Sequence, residues 1–194
     1  MYGCKSKIIE PDASISFKVI QPLTVGSEWH YKIFGFWPDG SIKDFVQDYI
    51  LKIKMDTTIN GNIWAIIISL PESDDGGFGE CLSNRSNGLW WGFPFEEDSL
   101  KWLRLPYPSE IGVKAINPYN EWWVENIDTI INVPAGTFKC YHYKTREIYG
   151  SQDLVHDYFY SPGVGLVRLN WYTHANDNSI YMYVQRDLIN YSIK

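Results

Sequence analysis

Two stretches decide how the chain folds. Residues 133–140 read Val133-Pro134-Ala135-Gly136-Thr137-Phe138-Lys139-Cys140, and residues 158–167 read Tyr158-Phe159-Tyr160-Ser161-Pro162-Gly163-Val164-Gly165-Leu166-Val167. Each ties an aromatic or β-branched run to a Pro/Gly corner, the pattern of antiparallel strands joined by specified turns. The same grammar extends outward. Trp29, Tyr31 and Ile33 alternate with Glu28, His30 and Lys32, as in a half-buried strand. A longer strand is expected over about 45–57, then the hairpin signal Asn60-Gly61. Its partner, Ile63 to Leu70, is apolar on both faces and should be covered on both sides. Further strands are expected at 89–93, 100–105, 122–133, 166–173 and 180–188, with residues 71–87 as an acidic, Gly-rich loop and 111–118 as a short connector.

No segment of ten or more residues shows helical period. Strands separated by turn signals at this spacing predict an all-β chain: an antiparallel, strongly curved sheet, open barrel or sandwich. Residues 1–22, polar and broken by Pro11 and Pro22, are expected to be an N-terminal tether followed by a short edge segment, and residues 23–194 a single antiparallel β-domain. A chain of 194 residues buries roughly 70% of its unfolded surface and needs no metal to build a core.

Nine Trp, fourteen Tyr and nine Phe make 16% of the chain aromatic, which suits half-buried sheet faces and ligand-facing walls alike. Net charge is −6, and the 17 Lys and Arg form no basic run, so a phosphate-neutralising nucleic-acid surface is not expected. No apolar run reaches the length of a membrane helix. Gly3-Cys4 followed by Lys5-Ser6-Lys7 looks like the processed end of a bacterial lipoprotein, so Cys4 is the expected lipid attachment point and a lipid anchor the expected membrane contact. In an exported chain Cys81 and Cys140 are either one bridge, contributing about 4 kcal/mol, or two separate buried thiols.

Catalytic patterns are weak. His142 and His156 with Asp157 make a conceivable acid–base or metal cluster, but without ligand spacing they read as histidines on outward strand faces. Ser161 lacks the Gly-x-Ser-x-Gly elbow. Asp74-Asp75 and Glu96-Glu97-Asp98 lie in solvated turns rather than apolar pockets. Asn176-Asp177-Asn178 lacks the Gly and distal Glu of a calcium loop. Gly76-Gly77-Phe78-Gly79 lacks the Lys of a phosphate loop. Neither an enzyme nor a cofactor is expected.

The two opening stretches, together with Leu103-Arg104-Leu105-Pro106-Tyr107-Pro108 and Gly112, resemble a group of bacterial exported β-domains of unassigned activity that often occur in lipoproteins. In design these resemble the curved half-barrels of the lipoprotein-carrier and lipocalin-like folds. The resemblance covers mainly residues 100–194, and it implies a lipid or other hydrophobic molecule held on a concave face. The expectation is an exported, lipid-anchored, non-catalytic β-domain of the periplasm or cell surface. It binds a hydrophobic small molecule or serves a structural role in the envelope. The alternative is a carbohydrate-binding module that stacks sugars on exposed Trp rings, since adjacent Trp on a strand face opposite ways. The candidate ligand-facing residues are Trp64, Trp90, Trp91, Trp122, Trp123, Tyr158 and Tyr160.

Overall fold

The computed structural model describes residues 8–9, 19–70, 80–93, 101–148 and 154–194. No helix occurs among them. Thirteen strands form one sheet: β1 (Ile8–Ile9), β2 (Glu28–Phe36), β3 (Ile42–Ile59), β4 (Asn62–Leu70), β5 (Glu80–Arg85), β6 (Gly88–Gly92), β7 (Lys101–Pro106), β8 (Lys114–Ile116), β9 (Asn120–Val133), β10 (Gly136–Glu147), β11 (Val155–Ser161), β12 (Gly165–His174) and β13 (Ile180–Ser192). The order β7-β6-β5-β4-β3-β2-β13-β12-β11-β10-β9-β8 is two antiparallel meanders joined where β13 pairs with β2. β1 adds to β10 in parallel, Ile8 opposite Thr137.

The turns follow from their residues. Asn60 and Gly61 both take positive φ, 51° and 75°, as the tight turn between two right-twisted strands requires. At Gly88 (φ 137°) a Cβ would sit 2.0 Å from the Leu105 carbonyl oxygen, so only glycine lets β6 lie against β7. Register shifts recur along the sheet, among them Ile53/Met55, Cys140/His142, Phe159/Tyr160 and Trp171/Tyr172. Each such bulge bends its strand and adds twist. The sheet curls into a nearly closed barrel with one seam, between β7 and β8, that no strand ladder seals.

Side chains close that seam. Trp102 on β7 meets Tyr119 edge-on at 5.6 Å. The Arg104 guanidinium lies 5.3 Å from the Trp122 ring of β9, and the Tyr143 hydroxyl of β10 donates to the Pro106 carbonyl of β7 at 2.9 Å.

One end of the barrel is a packed core. Trp29 and Tyr31, both fully buried, donate across the interior to the carbonyls of Val164 (2.6 Å) and Leu166 (2.9 Å), and Ile20 and Leu188 fill in around them. Fully burying a large apolar side chain stabilises by about 1.5–3 kcal/mol, and the hydroxyl and indole donors are satisfied, so neither ring leaves a buried polar orphan.

Several expectations need correction. Residues 19–22 are not tether. Val19 accepts from the Gly163 amide, Gln21 accepts from the Asn84 side chain, and Ile20, Gln21 and Pro22 are buried. This segment closes the packed end, and Gly165 leaves room for the Gln21 side chain. Cys81 lies in β5, not in a loop, because Glu80–Arg85 pairs with both β4 and β6. The connector at 111–118 contains the short strand β8. Of the two alternatives for Cys81 and Cys140, the bridge is not formed: both are buried thiols, on β5 and β10, with six strands between them in the sheet order. Burial pushes the Cys140 thiol up to about 12. Cys4, Asp74, Asp75, Gly76–Gly79 and Glu96–Asp98 lie outside the described residues.

Candidate functional site

Alternation along the strands decides which rings face the barrel interior. On β9, Trp122 points in and Trp123 out; on β6, Trp91 points in and Trp90 out. β11 sends His156, Tyr158 and Tyr160 inward, and β12 sends Leu169 and Trp171. β13 sends Val184 and Arg186, and β3 sends Tyr49 and Leu51. The result is an aromatic lumen, and three of its chambers are lined by the described residues.

The first, about 250 Å³, lies behind the seam, with Trp91, Trp102, Tyr119, Trp122 and Trp171 in its walls. Trp91 stacks on Trp102 at 5.4 Å with 20° between ring planes. The second, about 290 Å³, is the inner chamber above the packed end, with Leu51, Ile67, Leu82, Tyr160 and Leu169 in its walls. The third, about 590 Å³, opens at the far mouth between Ile33, Leu154, Tyr183 and Val184. Trp171 lines all three. It is 44% exposed although it points inward, so the lumen around it is open to water. The largest chamber falls within the roughly 300–1,000 Å³ typical of small-molecule sites.

Of the seven residues named from the sequence, Trp91, Trp122, Tyr158 and Tyr160 meet in this lumen. The other three do not. Trp64 and Trp90 sit on the outer face with the Arg85 guanidinium 5.3 Å and 4.0 Å from their rings, and Trp64 is only 1% exposed. Trp90 donates its indole N–H to Asn87, and Trp123 donates to Glu125 at 3.0 Å. The outward rings are thus dispersed and individually engaged, rather than aligned as one flat row. Sequence reading missed Trp102, Tyr119, Trp171, Tyr49, Arg104 and Arg186. Alternation from Trp122 and Tyr158 across the ladder finds Tyr49 and Trp171; the seam contacts need the closed barrel.

His142, His156 and Asp157 do not converge. Consecutive residues of β11 face opposite ways, so Asp157 points out, where its Oδ1 lies 2.7 Å from His142 Nε2 and its Oδ2 accepts the Tyr172 hydroxyl at 2.8 Å. Burial pushes the Asp157 carboxyl up, but the hydrogen bonds from His142 and Tyr172 outweigh it and leave it below its ordinary value. Burial and that same carboxylate push the Tyr172 hydroxyl up to about 12. His142 also stacks on Phe159, 4.4 Å between centres. His156 points into the lumen, 5% exposed, where its Nδ1 accepts the Tyr172 amide N–H at 3.1 Å. Burial holds its pKa below the usual 6.5 and favours the neutral ring. No group of three or more His, Cys, Asp or Glu is placed to hold a metal among the described residues. Asp177 is used in its own turn, accepting from the Ser179 amide and hydroxyl.

No protein-family model matches the chain, and no curated protein sequence matches it. Solved structures do resemble it. A candidate exported protein with YmcC-like fold from Bacteroides fragilis superposes with a TM-score of 0.51 at 12% identity, over 89% of this chain and 98% of that one. A candidate lipoprotein from Parabacteroides distasonis gives 0.48 at 14%, over 90% and 99%. A LolA superfamily protein from Nitrosomonas europaea gives 0.26 at 14%, over 90% and 89%. The first likeness establishes a shared all-β fold over nearly the whole chain.

Proposed function

We propose that this chain is an exported, non-catalytic β-domain that holds a hydrophobic small molecule in its lumen. The observation that carries the reading is the set of three contiguous chambers around Trp171. The inward-facing Trp171 ring is left 44% exposed there, in a barrel whose other end is packed. A fold that needed only stability would fill that space, because apolar surface left in contact with water forfeits about 25 cal/mol per Å². Leaving the Trp171 and Tyr119 rings wet makes sense when an apolar occupant covers them. Export, with Cys4 as a lipid attachment point, fits the sequence and the exported character in the name of the Bacteroides fragilis neighbour.

Native mass spectrometry of the full chain, purified without detergent from its host, tests the binding reading. A retained apolar molecule, released on denaturation and absent from Trp171→Ala, is the expected result. Binding on a glycan array that is lost when the outward rings Trp90 and Trp123 are removed, with no apolar molecule retained, would favour the sugar module instead. Palmitate labelling lost in Cys4→Ser tests the anchor.

A further inference from the structure

The inner chamber carries a charge asymmetry beneath its aromatic walls. Its described lining includes two guanidiniums, Arg104 and Arg186, and no carboxylate. Glu147 is the one acid among the described lining of the two neighbouring chambers. This occurs in a chain of net charge −6.

Arg186 stands at the middle of the sheet order, on the wall opposite the seam, between the ladder partners Ile33 and Leu169. Its guanidinium lies 4.2 Å from the centre of the Tyr49 ring and 5.8 Å from that of Tyr31. Its Nε is buried and makes no hydrogen bond. The nearest carboxylate along the chain, Asp187, faces the other side of the sheet and is held by Arg168 at 2.6 Å and 2.7 Å. Ring stacking satisfies the face of a guanidinium but not its five in-plane N–H donors. A partly enclosed cation with unspent donors is an expensive arrangement unless an anion completes it.

We infer that the occupant of this chamber is an apolar molecule with one acidic head. Its carboxylate pairs fork to fork with Arg186, Arg104 adds a second positive charge from β7, and its hydrocarbon lies on Leu51, Ile67, Leu82 and Leu169. This rests on the lumen being a site for hydrophobic molecules. It adds the sign of the head group and the residue that reads it.

The test is calorimetric titration of the full chain with dodecanoate, dodecanol and dodecyltrimethylammonium, three probes with one tail and three heads. Dodecanoate binds at least about tenfold tighter than dodecanol, because one charge-assisted hydrogen-bonded pair is worth about 1.5–3 kcal/mol. In Arg186→Gln that ratio falls to near one. In Arg186→Lys, which keeps the charge and loses the planar fork, it falls several-fold but remains above one. Thermal unfolding confirms that each variant is folded, and the lysine variant decides if the glutamine variant is not. Equal binding of acid and alcohol to the wild type, tighter binding of the cation, or a ratio unchanged in either variant overturns the inference. The alcohol binding as well as the acid sinks the charged head alone and leaves the hydrophobe reading standing. No binding by any of the three probes sinks both.

Discussion

Replacing Tyr143 by Phe removes one oxygen atom, the donor of a hydroxyl-to-carbonyl hydrogen bond that crosses the seam. Tyr143 is fully buried, and its O–H donates to the Pro106 carbonyl at 2.9 Å. Burial holds that hydroxyl protonated far above its ordinary range, so it is a donor at every working pH. The ring stays in Tyr143→Phe and keeps its packing against Tyr160 and Tyr141, so no cavity term arises. What is lost is the hydrogen bond, and the Pro106 carbonyl is left buried without this donor. That costs about 1–3 kcal/mol, and in a chain of this length about 2–4 °C in Tm for each of those kcal/mol. Urea unfolding should show a lower midpoint with an unchanged slope. Hydrogen exchange should quicken at β7 and β8, where ring contacts such as Trp102 on Tyr119 then carry more of the seam. Tyr141→Phe is the matched control: its half-buried hydroxyl makes no hydrogen bond among the described residues, so the change should stay within about 0.5 kcal/mol. Equal stability of the Tyr143 and Tyr141 variants would refute the idea that side chains fasten an edge no ladder seals.

Further outcomes follow from the same geometry. Trp171→Ala should weaken binding of a fluorescent apolar dye at least about tenfold, since this ring lines all three chambers; titration by fluorescence reads it directly. His156 has a depressed pKa in the folded chain, so the unfolded chain takes up its proton first and stability is lost as pH falls from 6.5 through the folded value. His156→Asn keeps an acceptor for the Tyr172 amide and removes that loss, so its stability curve should be flatter than wild type below 6.5. Asp157 behaves likewise at lower pH. Its depressed carboxyl stabilises above 3.8, and the gain disappears as pH falls through the folded value, so Asp157→Asn should abolish that acid-side slope in circular-dichroism titrations. Iodoacetamide in denaturant without reductant should modify both Cys81 and Cys140, whereas a bridge would protect them.

Local chemistry made most of the strands legible. Asn60-Gly61 could only be a tight hairpin, because its residues tolerate positive φ and match strand twist, and the structure places both there. Alternation in Glu28–Phe36 put Trp29 and Tyr31 on one face because the side-chain period of a strand is two. The adjacent Trp pairs were known to split between faces for the same reason. Which face was the lumen was not in that pattern, so Trp64 and Trp90 were named alongside Trp91 and Trp122 although they lie outside.

By itself, then, the sequence determined an antiparallel chain of aromatic ribbons and the corners between them, since turn chemistry and two-residue alternation act over a few neighbouring residues. Tertiary structure alone decided that β13 pairs with β2, that the ribbon curls until β7 meets β9 through Arg104 and Trp122, and that Arg186 and Trp171 share an open lumen. Those are contacts between residues far apart in the chain, summed from bulges that each turn the sheet slightly, and no short window of residues contains that sum.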